Sequence, residues 1–535
     1  MGLSINYYRV PDLPRLAWLA SLDLKTFTEV SVFHGSSVEC RDTWMIEGVW
    51  DGDFSLGNFH TAENVFGSGI RIDGEHVYFV PSSALVDHLF YCIHRERLLV
   101  SNSLIVMLGF TGATLDDTHD YHNESVSIIK GIREYKKEFA VIHPEIERFY
   151  QVFYENIVVT KDGISFELKN GLHEITSFEQ YYALLWSILS HIKDNYRDPE
   201  RTIPLSAFST ISSGYDSTAV TCLAKQLGVD TCFTLKKSAS WMRWSSKYST
   251  DDGTLAAQAL NLNIIYADAS RSEITEDELF FLSINYGRSE NHILLNEIAF
   301  SSMVNHIEIN CSAAVLFTGY HGDKVWDINT PDQYLGDELK LSSVCLGFSE
   351  IRLKSGFINV AVPFILARNI GMLIAISRSD EMKPWSLGND YDRPIARRLV
   401  EGSGVNRDSF GIQKKGVSRH IYRLPKSLAL RRPFLQYLEK RYNLSPWFVY
   451  TNHALNQIAF LFQKVAMRVF RPTVKSRRTT VFWPNLDVGF LMWIWATHTL
   501  SQKMSKILCG YIKDSSDTIK KPEDTCNTQM HLHVN

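Results

Sequence analysis

The sequence predicts an α/β protein in which a β-rich first part precedes a parallel, doubly wound α/β sheet. Three observations carry this. Turn-forming pairs recur at short intervals through residues 45–110, the spacing of antiparallel strands. From Ser177 onward, apolar strand-like runs alternate with runs of helical period, as in a parallel sheet with crossover helices. The 535 residues, 45% hydrophobic and 21% charged, have the composition of a folded globular chain. At about 100–200 residues per domain, they provide for roughly two to four domains.

The elements follow in order. Residues 44–46 read as a strand, and Gly52-Asp53-Phe54, Gly67-Ser68-Gly69 and Asp73-Gly74 read as turns between further short strands. Residues 97–101 are an apolar strand. Residues 149–160 and 164–168, joined by Lys161-Asp162-Gly163, read as a hairpin. At Ser177, a plausible helix cap, the period changes: Tyr181, Leu184, Leu185, Ile188 and Leu189 line one helical face. Then come a strand at 204–211, a helix at 218–227, a strand at 229–235, a helix at 251–260 and a strand at 263–267. Beyond about residue 420 the pattern is mostly helical, and 513–535 is a polar, turn-rich tail. The expected organisation is therefore 1–176, 177–512 and 513–535.

Composition removes several classes. The eight cysteines are scattered, with no CxxC pair and no metal-ligand spacing, which points to reduced thiols rather than a disulfide scaffold or zinc ribbon. No stretch reaches the roughly 18 apolar residues of a membrane span. The first residues lack the basic flank and apolar run of a secretory signal, and Asn6 stands where a myristoylation site wants Ser or Thr. A soluble, cytoplasmic protein is expected.

The net charge of −4 conceals a segregation. Residues 402–486 hold sixteen basic residues and two acidic ones, a net +14, so the remainder carries −18. Such asymmetry points either to an anionic macromolecular partner at 402–486 or to the acidic remainder of the chain packing over it. Zinc-finger and basic-zipper signatures are absent, which argues against a reader of nucleic-acid sequence.

The chemistry lies where the first strand of the α/β part ends. Ser212-Ser213-Gly214-Tyr215-Asp216-Ser217 is a small, hydroxyl-rich turn ahead of a helix. Such a turn offers backbone N–H groups and a helix dipole to a phosphate, and a Mg2+ ion would reconcile Asp216 with that anion. Alone, it is equally an ordinary strand–turn–helix. A second apolar strand, 315–318, ends in Gly319-Tyr320-His321-Gly322-Asp323-Lys324. It would bring Asp323 to the same sheet edge, so that Asp216 and Asp323 share Mg2+ and a triphosphate.

With these two motifs the chain resembles the synthetase domain of asparagine synthetase and its relatives, the β-lactam synthetases and lasso-peptide cyclases. Residues 212–217 are similar to that family's Ser-Gly-Gly-x-Asp-Ser pyrophosphate loop, and 319–324 to its Gly-x-Gly-x-Asp-Glu motif. Residues 356–364 are similar to the Glu-x-Arg-Val-Pro-Phe segment. Tyr391-Asp392-Arg393-Pro394 and the following 395–398, then Phe410-Gly411-Ile412-Gln413-Lys414-Lys415-Gly416, resemble its late helix and lysine-bearing turn. The resemblance implies an ATP-pyrophosphatase-type synthetase fold over 177–512, behind a degenerate glutaminase-like domain over 1–176. It also implies ATP and Mg2+ as cofactors. Ser212, Ser213, Gly214, Tyr215, Asp216, Ser217, Gly319 and Gly322 would bind the nucleotide, and Asp216 and Asp323 the metal. Lys414, with Lys415 as its alternative, would be catalytic, and Tyr320 would donate to an oxyanion.

The implied reaction is AMP-forming. A carboxylate attacks the α-phosphate of ATP, pyrophosphate leaves, and an amine attacks the acyl-adenylate to give an amide. The expected substrates are a small-molecule, peptide- or carrier-bound carboxylate and an amine, in specialised metabolite biosynthesis. A sulfide or N–N nucleophile in place of the amine, or an inactive binding homologue, are the alternatives. Departures from the family pattern are Ser213 for Gly, Asn359 and Ala361 for Glu and Arg, and Lys324 for the second acid. In the first part, residue 2 is Gly where glutamine-dependent relatives expose a cysteine, so glutamine hydrolysis is not expected. Cys92 as a relocated nucleophile, Trp241, Trp244, Trp493 and Trp495 as pocket walls, and His321 and His420 as bases are further candidates; for each, packing is the favoured reading.

Overall fold

The computed structural model describes residues 2–121, 123–124, 127–235, 252–267, 293–340, 349–411, 424, 428–469, 486 and 488–514. They form a mixed α/β structure whose strands make three sheets. The first sheet contains β1 (Ser4–Arg9), β2 (Trp18–Asp23), β3 (Glu29–His34), β8 (Leu89–His94), β9 (Arg97–Ser101), β10 (Glu138–Ala140) and β11 (Arg148–Val152). Its order is β1-β3-β2-β9-β8-β11-β10. The second contains β4 (Glu39–Cys40), β5 (Trp44–Trp50), β6 (Val65–Asp73), β7 (His76–Val80), β12 (Asn156–Thr160) and β13 (Gly163–Glu167), in the order β13-β12-β7-β6-β5-β4. Period-2 patterning makes these sheets a pair. Ala20, Leu22, Val30 and Val32 from the first pack with Ile70, Ile72, Val77 and Phe79 from the second in one apolar layer.

Two sequence expectations are corrected here. Gly67-Ser68-Gly69 is not a turn but the middle of β6, paired in register with Gly48, Glu47 and Ile46 of β5. A Cβ on Gly67 would lie 1.9 Å from the Glu47 carbonyl oxygen, so the glycine marks a close approach of two backbones. Residues 149–160 are not one strand. Tyr154, with φ of 65°, sits between β11 and β12, and those strands belong to different sheets.

The third sheet contains β14 (Leu205–Thr210), β15 (Thr231–Leu235), β16 (Asn263–Ala267), β17 (Ala313–Thr318) and β18 (Phe357–Ala361). It is parallel throughout, in the order β16-β15-β14-β17-β18. The chain steps outward from β14 to β16, then crosses to the other side of β14. The order therefore reverses between β14 and β17, and at such a point the loops leaving the carboxyl ends of neighbouring strands frame a crevice. The helix Tyr215–Gln226 packs on both of those strands. It begins three residues earlier than the pattern predicts because Gly214, with extended backbone, is its cap. Asp216 thus falls in the first turn, where the helix dipole favours a carboxylate. The helix Phe178–Tyr196 begins as expected: Ser177 Oγ accepts from Gln180 N at 3.3 Å, and Gln180 Oε1 accepts from Thr176 N at 2.9 Å.

The residues before and after 177 share their largest apolar core. Buried charge also joins them. Arg352 donates to Glu47 at 2.8 and 3.1 Å and to Asp87 at 3.1 Å, all three side chains being almost fully buried. Two positions earlier, Glu350 accepts from Ser103 Oγ at 2.8 Å and Leu104 N at 2.7 Å, at the start of helix Leu104–Thr111. Beyond 420 the described chain is helical, as read from sequence, in Leu428–Tyr442, Pro446–Val469 and Val488–Asp514. The last of these runs two residues into the stretch read as a tail. Among the described residues no helix is long and apolar enough to cross a membrane.

Candidate functional site

The loop after β14 is tied to its own helix. Ser212 N donates to Ser217 Oγ at 3.1 Å, the two hydroxyl oxygens lie 2.7 Å apart, and Gly214 N donates to Ser212 Oγ at 3.1 Å. Thr218 Oγ1 donates to the Ser212 and Gly214 carbonyls at 2.8 and 2.6 Å. This loop therefore has one shape, set by hydroxyl side chains within seven residues. Ser213, where the family pattern has glycine, is not among the residues of positive φ and carries no left-handed strain.

The loop after β17 meets it. A Cβ on Gly319 would lie 2.4 Å from the Asp216 carbonyl carbon and 2.5 Å from Ser217 N. One on Gly322 would lie 2.7 Å from Asp216 Cγ. Both glycines are needed for contact rather than for a special backbone angle, and they seat the second loop on Asp216. Between them His321 takes φ of 76° and stacks on Phe364, with ring centroids 4.4 Å apart and planes 12° apart. Burial pushes its imidazole down to about 4, so it is neutral at pH 7 and a poor proton acceptor. Tyr320 stacks on the same ring at 6.1 Å. Asp323 follows, 3.3 Å from Lys324 Nζ.

The other two segments singled out in the sequence arrive at the same place. Asn359 Oδ1 accepts from Thr318 Oγ1 at 2.7 Å, and Phe364 is the ring under His321. Arg393, just before the helix Pro394–Gly402, is buried and ion-paired to Asp216 Oδ2, with its guanidinium over the Tyr391 ring at 4.9 Å. One turn on, the buried Arg397 donates to the Tyr215 hydroxyl and lies 5.1 Å over that ring. Tyr215 is wholly buried, against Tyr391 at 4.9 Å and Phe410 at 5.8 Å. Burial raises its phenol, and Arg397 only partly offsets this. Its ring thus belongs to packing, and its backbone N donates to the Tyr391 hydroxyl at 3.5 Å. Gly411 N donates to the Ser213 carbonyl at 2.9 Å, closing the circle.

Gly319, Gly322 and Arg393 thus meet Asp216, on the loop that also holds Ser212, Ser213, Gly214 and Ser217; Tyr320 and Asp323 lie on the same second loop as those glycines, the 356–364 segment packs on that loop, and Gly411 bonds Ser213. Lys414, Lys415, His420, Trp241 and Trp244 lie outside the described residues. Trp493 and Trp495 are core residues elsewhere, against Tyr121 at 5.1 Å and Phe434 at 5.3 Å. Arg393 is the residue whose part the sequence reading missed. It stood inside a quoted segment, but only the fold sets it beside Asp216. No group of three or more His, Cys, Asp or Glu able to hold a metal occurs among the described residues. Two carboxylates on facing loops suit a Mg2+ that arrives with phosphate oxygens and keeps waters, not one held by the protein alone. In the first part, burial pushes the Cys40 and Cys92 thiols up to about 12, which leaves almost no thiolate at pH 7.

Compared with family models and with curated proteins, the chain matches none. What the fold and site define is a mixed α/β protein with two glycine-bearing, carboxylate-bearing loops in contact at the switch point of a parallel sheet.

Proposed function

We propose that the chain is an ATP-dependent, AMP-forming ligase whose parallel sheet is the doubly wound, pyrophosphatase-type synthetase fold. The observation that carries this is the meeting of two loops, one bearing Asp216 and the other Asp323, at the carboxyl edge of neighbouring strands. Anions and nucleotides bind open α/β sheets at such a crevice, and the loop after β14 opens onto a helix N-terminus.

In this reading Ser212, Ser217 and the amides around Gly214 hold the departing pyrophosphate. Charge builds on those oxygens as the carboxylate attacks the α-phosphate, so donors fixed before reaction need no reorganisation. The hydrogen bonds between Ser212, Ser217 and Thr218 provide that fixing. Asp216 and Asp323 would hold Mg2+, which when bound supplies charge neutralisation to the phosphates. Tyr320, at the edge of the second loop, is the candidate donor to an oxyanion when the amine attacks, and Lys414 is the candidate cation for both steps. Neutral His321 serves the loop's shape through its stack on Phe364. The inert Cys40 and Cys92 thiols support an amine that comes from a substrate, not from glutamine. The test is pyrophosphate release from ATP in the presence of candidate carboxylic acids, followed by AMP and amide formation when amines are added.

A further inference from the structure

The helix Pro446–Val469 is anchored along one side. Val449 is wholly buried in an apolar core with Phe434, Leu438 and Trp495. Asn452 is buried on the same side, its Oδ1 accepting from Asn456 Nδ2 at 3.0 Å and from Leu486 N at 3.2 Å. The opposite side faces outward. Trp447 is 76% exposed, and Tyr450, Ala454, Leu455 and Ile458 are exposed with it. At 3.6 residues per turn, these five residues and Thr451 fill one continuous stripe, about 140° wide and about 16 Å long. Thr451 donates its hydroxyl to the Trp447 carbonyl at 2.9 Å, so it turns no donor outward, and the stripe carries no charged residue. Single exposed apolar side chains are ordinary; a contiguous stripe of them marks a surface for binding.

The charge around the stripe indicates what it binds. Residues 442–486 contain six basic residues, Lys464, Arg468, Arg471, Lys475, Arg477 and Arg478, and no acidic one. Lys464 and Arg468 belong to the same helix, and the other four follow it in sequence. Such a segment repels a second copy of itself and attracts an anionic surface. Trp and Tyr rings settle at the headgroup level of a bilayer, and an apolar face accompanied by cations is the pattern of a helix lying in that interface. We propose that the helix Pro446–Val469 docks the protein on an anionic lipid bilayer. Trp447, Tyr450, Leu455 and Ile458 enter the headgroup boundary, and the basic residues meet the lipid anions. An acidic protein would also answer the cations, but an uncharged stripe led by a tryptophan favours lipid. Peripheral docking of this kind needs no spanning segment, and it stands independently of the nucleotide reading.

The experiment is co-sedimentation of the full chain with vesicles, of phosphatidylcholine alone and of phosphatidylcholine with phosphatidylserine in a ratio of two to one. The wild type is expected on the mixed vesicles and not on phosphatidylcholine alone, and added salt is expected to release it. Trp447→Ser with Ile458→Ser is expected to weaken binding at least about tenfold. Its melting temperature should match the wild type, because both side chains are exposed. Lys464→Gln with Arg468→Gln is expected to weaken binding about fivefold for each cation removed. Tyr450→Ser with Leu455→Ser, on the same stripe, repeats the measurement should the first pair not fold. No binding to the mixed vesicles, or equal binding by the wild type and the Trp447→Ser, Ile458→Ser chain, would overturn the proposal. A wild type that is dimeric, and monomeric once those two residues are replaced, would overturn it in favour of a second copy. Retention on immobilised polyglutamate with none on vesicles would overturn it in favour of an acidic protein. None of these outcomes bears on the nucleotide reading.

Discussion

Replacing Gly319 by alanine tests the meeting of the two loops. The added Cβ would stand 2.4 Å from the Asp216 carbonyl carbon and 2.5 Å from Ser217 N, where ordinary contact begins at 3.4 Å. Both obstacles are backbone, so no rotamer change relieves them and the loops must part by about 1 Å. Overpacking of this kind costs about 1–3 kcal/mol of stability, against a total of about 5–15 kcal/mol for a typical domain. The chain should therefore stay folded. Ligand binding should suffer more, because each charge-assisted hydrogen bond lost between loop and phosphate is worth about 1.5–3 kcal/mol, roughly ten- to hundredfold in Kd. The assay is calorimetric titration with ATP and Mg2+, with urea unfolding as the companion measurement. Gly336→Ala is the control, since a Cβ there meets nothing within 4 Å. A Gly319→Ala chain that binds ATP within twofold of wild type refutes the claim that this contact shapes the site.

Further predictions concern the rest of the molecule. Arg352→Met leaves Glu47 and Asp87 buried without their cation and should cost about 3–5 kcal/mol, read as a lower urea midpoint; an unchanged midpoint would contradict it. Burial raises the Glu350 carboxyl from 4.5 to about 7, so the folded chain holds its proton where the unfolded chain releases it. The stability this provides is complete below pH 4.5 and is lost as pH rises through about 7, a change of about 3 kcal/mol. Glu350→Gln should flatten that slope relative to wild type, and parallel pH profiles for the two chains would refute the assignment. If the +14 stretch at 402–486 receives an acidic carrier, turnover with the carrier-bound substrate should fall steeply with added salt, while a free substrate should give salt-insensitive rates.

The two loops of the candidate site were legible in the sequence because each is a local motif. Ser212, Gly214, Asp216 and Ser217 lie within six positions, and Gly319, Gly322 and Asp323 within five. Parallel strand–helix alternation, likewise, leaves a period that residues a few places apart can carry. What escaped reading is non-local. Arg393 and Asp216 are 177 positions apart, and Arg352 and Glu47 are 305 apart, so no pattern in either segment announces the pair. Glycine was ambiguous for a related reason: at Gly67 it serves a close strand approach in the middle of β6, and composition cannot tell that from a turn. Tyr215 shows the same limit in a side chain. Its place in the loop motif suggested contact with a ligand, whereas Arg397 and Phe410, supplied from far along the chain, enclose its ring.

The central claim is that the two loops around Asp216 activate a carboxylate with ATP. Its most direct measurement is pyrophosphate release by the full chain with ATP, Mg2+ and a panel of carboxylic acids, beside the Asp216→Asn chain. Acid-dependent pyrophosphate is expected from the wild type and none from Asp216→Asn. Pyrophosphate release that Asp216→Asn leaves intact, or no acid that elicits pyrophosphate together with no rise in melting temperature on adding ATP, would contradict it.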